Sequence, residues 1–123
     1  MQFSRYRFSY RTQNLYAQLK SRTGLGINVL ARFGLCLSLK DRSIPNPEEY
    51  DEKGMEILPS VLFGENENIY RSLMLDRLHK EGLTTEELFH RMTRAHLNRG
   101  AAALHSRIHD LSDFYGMIQQ ELK

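Results

Sequence analysis

The sequence predicts a mainly α protein, one short amino-terminal strand followed by about five helices, in a single domain over residues 1–123. Three observations carry this. Apolar and polar residues alternate only near the start, apolar residues recur at helical spacing through most of the rest, and glycines fall where those periodic stretches stop. A chain of 123 residues buries roughly two-thirds of its unfolded surface, enough for a core without disulfide staples.

From Gln2 to Arg11 the pattern alternates, with Tyr6, Phe8 and Tyr10 on one face and Phe3, Arg5, Arg7, Ser9 and Arg11 on the other, and predicts a strand. No second strand is evident in the sequence. An isolated strand leaves its backbone groups unpaired, so the expectation is pairing with the same strand of another subunit, and hence an oligomer. Thr12 to Thr23 places Leu15, Tyr16 and Leu19 at helical spacing, with Gly24 at the stop. Ile27 to Leu39 is apolar on most faces and predicts a buried helix, in which Gly34 points to a tight crossing with another backbone. Pro45, Pro47 and Pro59 fall between Ser43 and Leu62 and predict a long irregular connection, with a turn at Lys53-Gly54. A third helix is expected from about Glu65 to Lys80, turning Ile69, Leu73, Met74 and Leu78 inward. Thr84 and Glu87 form a capping box for a fourth helix reaching about His109, and Ser112 or Asp110 caps a last one through Gln120.

The formal net charge is only +2, yet its distribution is uneven. Residues 1–42 carry eight bases against Asp41 alone, a balance of +7. Residues 43–69 carry seven acids against Lys53, a balance of −6, and the remainder sums to +1. The chain thus divides into a basic module (1–42), an acidic, proline-containing connection (43–64) and a helical part (65–123). A cationic end points to a polyanion partner; the plainer reading is a solvated surface. The longest nearly apolar run, Phe33 to Leu39, is too short to span a membrane, and the single cysteine, Cys36, closes no internal disulfide. With no apolar signal stretch near Met1, the expectation is a cytoplasmic protein.

Strand, helix, glycine turn and buried helix follow the order of the ribbon-helix-helix DNA-binding module, by architectural analogy. There a two-stranded ribbon from a dimer enters the major groove, and Arg5 and Arg7 would face the bases. A more specific likeness lies in Leu19-Lys20-Ser21-Arg22-Thr23-Gly24-Leu25, Asn28-Val29-Leu30-Ala31-Arg32 and Leu35-Cys36-Leu37-Ser38-Leu39. It continues in Pro47-Glu48-Glu49-Tyr50-Asp51, Leu62-Phe63-Gly64-Glu65 and His96-Leu97-Asn98-Arg99-Gly100. In these runs nearly the whole chain resembles the DndE family, though Gly26-Ile27 stands where family members commonly show Thr-Pro. The resemblance implies a non-catalytic subunit of the bacterial system that replaces a non-bridging phosphate oxygen of DNA with sulfur. It implies homotetramers and binding of nicked duplex DNA through surface lysines. The chemistry would belong to a cysteine desulfurase, an iron-sulfur partner and an ATPase partner. By that resemblance Lys20 is the leading DNA-binding candidate; Arg5, Arg7, Arg11 and Arg22 join it from charge and the alternating strand.

Other chemistry finds little support. Cys36, between Leu35 and Leu37, reads as a small buried hydrophobe rather than a sulfur carrier. His105 and His109 are four apart and would share a helix face if the helix reached His109, but without third and fourth ligands they read as surface histidines. No Walker sequence follows Gly24 and Gly26, and no arrangement singles out a nucleophilic triad, so neither enzyme activity nor a cofactor is expected. Glu65 and Glu67 complement a helix dipole. Gly100 to Ala103 forms a small-residue face for internal packing or a subunit seam, with internal packing favoured, and Arg99 beside it is either a phosphate contact or a buried-pair partner. The runner-up function is a ribbon-helix-helix transcriptional regulator on a specific operator; a metal-dependent nuclease is a third reading.

Overall fold

The computed structural model describes residues 5–83 and 85–121. The amino-terminal alternation yields strand only at Tyr6–Arg7 (β1), because Ser9 interrupts it: its hydroxyl accepts a hydrogen bond from Thr12 N at 3.0 Å and caps α1, Tyr10–Thr23. Tyr6 and Phe8 share a face as the alternation expects and turn it into the core, whereas Tyr10 already belongs to the helix and is exposed. β1 pairs antiparallel with β2, Glu56–Ile57, matching Tyr6 with Ile57 and Arg7 with Glu56. Two expectations are corrected here. A second strand does exist, and β1 finds its partner in its own chain, so the strand gives no reason for a second subunit. β2 has only two residues, too few for a period-two pattern to register.

α1 ends at Gly24, left-handed at φ 77°, whose N–H donates to Lys20 O. α2, Ile27–Lys40, follows. The connection is less irregular than its prolines imply, since Pro59 occupies the first turn of α3, Pro59–Phe63, where a missing N–H costs nothing. A 3₁₀ turn at Gly64–Asn66 leads into α4, Glu67–Glu81, and then come α5, Glu86–Arg107, and α6, Leu111–Glu121. Thr84, the expected cap of α5, lies outside the described residues; Thr85 caps it by accepting from Leu88 N at 3.3 Å.

α2 and α5 form the centre. They cross at Gly34 and Gly100, where an added Cβ on Gly100 would run into the Gly34 backbone, and one on Gly34 would lie 2.5 Å from the Tyr16 hydroxyl and 3.2 Å from the Gly100 carbonyl carbon. The tight crossing read from Gly34 and the small-residue face read from Gly100 are two sides of one contact, and it is internal. On α4 the buried stripe is Met74 and Leu78, with Tyr70 partly covered against Phe63. Ile69 and Leu73, also expected inward, are 60 % and 46 % exposed. At 100° per residue they lie on a stripe about 100–180° round from Met74 and Leu78, and only one of the two stripes meets the core.

Candidate nucleic-acid interface

The five cations expected to bind DNA occupy three places. On α1, Arg11 and Arg22 fall within about 20° of each other around the helix axis, together with Gln18, while Lys20 lies about 160° from Arg22. The buried stripe of Thr12, Tyr16, Leu19 and Thr23 runs between them, so Lys20 flanks it on one side and the two arginines on the other. Lys20 and Arg11 are exposed, and neither makes an ion pair among the described residues. Arg22 donates from Nη1 to Ile108 O at 3.3 Å, which ties one nitrogen of its guanidinium to the end of α5. Arg5 and Arg7 form the third place, on the hairpin. Both meet the Glu56 carboxylate, Arg5 Nη1 at 3.5 Å from Oε2 and Arg7 Nη2 on Oε1, and Arg7 also donates to Gly54 O at 3.3 Å.

Other arginines are structural. Arg99 donates to Ser38 O and Ser38 Oγ, both at 2.8 Å, and to Ser43 O at 3.0 Å, while Arg77 donates to the carbonyls of Leu39, Asp41 and Ser43, each at 2.8 Å. Together they satisfy the orphan carbonyls where α2 ends. Arg99 is thus spent mainly on backbone inside the molecule, and the acid it pairs with, Asp41 at 3.8 Å, is exposed rather than buried. Arg94 is nearly buried and donates to the carbonyls of Arg7 (2.7 Å), Tyr50 and Asp51, locking β1 and the acidic connection against α5. His96 is fully buried with Nδ1 2.8 Å from Ser38 Oγ. Burial, followed by the charges of Arg99 and Arg77, pushes its pKa down to about 3, so it is neutral. Asn98 accepts from Ser9 N at 2.9 Å and donates to Arg94 O at 2.8 Å.

Two further acids of the connection have partners inside the molecule. Asp51 accepts from Lys53 N at 2.8 Å and from Tyr10 N at 3.0 Å; these backbone bonds hold its carboxyl below the usual carboxylate range and place a negative charge at the start of α1. Arg91 lies 3.9 Å from Glu48.

Cys36 departs from expectation, for it is exposed. Helix α2 turns Leu30, Ala31, Gly34, Leu35 and Ser38 inward, and Cys36 falls on the opposite side. Desolvation still raises its thiol pKa, which favours the protonated form over a thiolate. His105 and His109 do not share a helix, since α5 ends at Arg107; His105 Nε2 instead lies 2.8 Å from Gln18 Oε1. Among the described residues no group of three or more His, Cys, Asp or Glu side chains is placed to hold a metal ion, and no helix is long and apolar enough to cross a membrane. Sequence reasoning passed over Gln18 and weighed His105 only as one of a metal-binding pair with His109. Only the spacing Arg11, Gln18, Arg22 signalled an α1 stripe, and nothing in the sequence placed the end of α5 beside it.

Fold and site together define a mainly helical protein that presents cations on the flanks of an edge helix. The family model of the DNA sulphur modification protein DndE matches residues 5–111. The crystal structure of DndE from Escherichia coli B7A, involved in DNA phosphorothioation modification, is similar at a TM-score of 0.69 and 21 % identity, over 85 % of this chain and 98 % of that one. A glycine-to-lysine mutant of DndE is similar at 0.66 and 20 %, over 85 % and 99 %. No curated protein matches the sequence. The chain belongs to the DndE family, and as a member it has a non-catalytic, DNA-associated part in phosphorothioation.

Proposed function

We propose that the protein holds duplex DNA for the sulfur-transfer machinery, with a preference for nicked duplexes, through Lys20, Arg22 and Arg11 on α1 and Arg5 and Arg7 on the hairpin. It works in the cytoplasm as a homo-oligomer, a tetramer by family resemblance, beside iron-sulfur and ATPase partners that carry out the chemistry. The observation that supports this most is the contrast among its cations. Arg77, Arg94 and Arg99 are consumed by backbone carbonyls, while Lys20 and Arg11 stand exposed without an ion pair among the described residues. Cations of that kind contact phosphates, which position a protein on DNA without reading sequence. The regulator reading is weaker, because the strand that would form an intersubunit ribbon pairs with β2 and its arginines with Glu56.

Titration of intact, nicked and unrelated duplexes at two salt concentrations tests the proposal. Affinity should fall steeply with salt, vary little with sequence and favour the nick. Lys20→Ala should lower the salt slope by about one. A strong preference for one operator would restore the regulator reading, and absence of binding at low salt would remove the DNA-holding role.

A further inference from the structure

We infer that the seam between α1 and the carboxyl end of α5 is a proton-linked contact for the DNA phosphate backbone, in which Arg11 and Arg22 hold phosphates and His105, hydrogen-bonded to Gln18, takes up a proton as they arrive. The inference rests on the DNA-holding reading above and adds to it a residue, a site and a pH dependence.

Geometry comes first. Arg11, Gln18 and Arg22 lie along one stripe of α1, and the eleven steps from Arg11 to Arg22 cover about 16 Å at 1.5 Å per residue. One strand of duplex DNA advances about five phosphates over that length. Gln18 stands between the two arginines, and its Oε1 receives His105 Nε2 from α5 at 2.8 Å. An amide oxygen can only accept, so Nε2 carries the hydrogen and Nδ1 is the atom left to take a proton. Arg22, bonded to Ile108 O, closes the row on the α5 side.

The charges around His105 have one sign. Partial desolvation lowers its pKa first, then Arg22, His109 and Arg11 lower it further. From α1 it is faced by Arg11 and Arg22, and from the chain beyond α5 by His109. The acids nearby serve the start of α6: Asp113 accepts from His109 N at 2.9 Å, and Asp110 accepts from Asp113 N at 2.9 Å. In the free protein partial desolvation and these neighbours therefore both disfavour the protonated imidazole. Phosphates of one strand held at Arg11 and at Arg22 neutralise groups that suppress protonation and add anions that favour it. The pKa then rises on binding, and by linkage DNA binds more tightly as pH falls through the region where His105 titrates.

The test measures binding of a fluorescent duplex at constant ionic strength from about pH 8 to about pH 5.5, across the histidine range. It compares the wild type with His105→Gln, His109→Gln and Lys20→Ala. Wild-type affinity should rise toward low pH, by up to about tenfold per pH unit for one linked proton. Lys20→Ala should bind more weakly with the same pH dependence, His109→Gln should keep most of it, and His105→Gln should lose it. Proton NMR of the wild-type His105 ring gives a readout that needs no variant: its titration should move to higher pH when the duplex is added. A pH-independent wild type, a dependence that survives in His105→Gln or vanishes in His109→Gln, or an unmoved ring titration would overturn the inference while leaving DNA holding intact. No duplex binding at any pH would remove the DNA-holding reading and this inference with it.

Discussion

Glu56 shows how far counting charges goes and where it stops. The sum over residues 1–42 places Arg5 and Arg7 in a cationic module, and that sum is correct as arithmetic. Folding then sets a single carboxylate against both, because β2 aligns Glu56 with Arg7 across the hairpin. Any phosphate reaching these arginines must compete with it. Glu56→Gln should therefore tighten duplex binding by roughly 1.4-fold to fivefold at low salt, since exposed pairs are worth ~0.2–1 kcal/mol. The same duplex titration checks this, and unchanged affinity would mean that the hairpin arginines do not touch DNA. His96, Asn98 and Arg99, which help carry the family resemblance, go to a buried Ser38 contact, a Ser9 contact and the end of α2. Their place in that motif marks architecture, not a DNA site.

Among the helices, α2 and the end of α1 were legible almost to the residue because their apolar spacing is strong and Gly24 and Gly26 punctuate the turn between them, whereas α1 starts at Tyr10, two residues before Thr12, in what the alternation read as strand. α4 was legible in extent but not in orientation. Ile69 and Leu73 are as apolar as Met74 and Leu78, and only the packing partners decide which stripe is buried. The α2 and α5 crossing was half legible: each glycine signalled a close neighbour, and neither named the other. Gly100→Ala gains helix propensity but must push two backbones apart, so it should destabilise the protein by about 3 kcal/mol. Urea unfolding measures this, and a neutral or stabilising result would show that the helices can part without cost.

Stability of the assembled fold should depend on pH through His96. It is neutral inside, with a pKa of about 3, against an unperturbed value of 6.5 once unfolded. Between those values the unfolded chain binds a proton that the native one does not. Stability is therefore complete above about pH 6.5 and declines as pH falls toward about 3, by roughly 1.4 kcal/mol per pH unit. Denaturation midpoints at several pH values should show the decline in the wild type and a flatter profile in His96→Gln. Equal slopes would place the acid sensitivity elsewhere, for example in the loss of the Asp51 cap on α1.

Period, punctuation and charge density are properties of neighbours along the chain, and so helical content and the separation of basic and acidic segments could be read from the sequence alone. Partnership across the chain could not. The pairing of β1 with β2 fifty residues away, the meeting of Gly34 with Gly100, the exposure of Cys36 and the placing of His105 beside Gln18 arise only when distant segments pack. Local spacing assigns a side chain to a face of its own element, and burial, hydrogen-bond satisfaction and charge neutralisation then determine what that face meets.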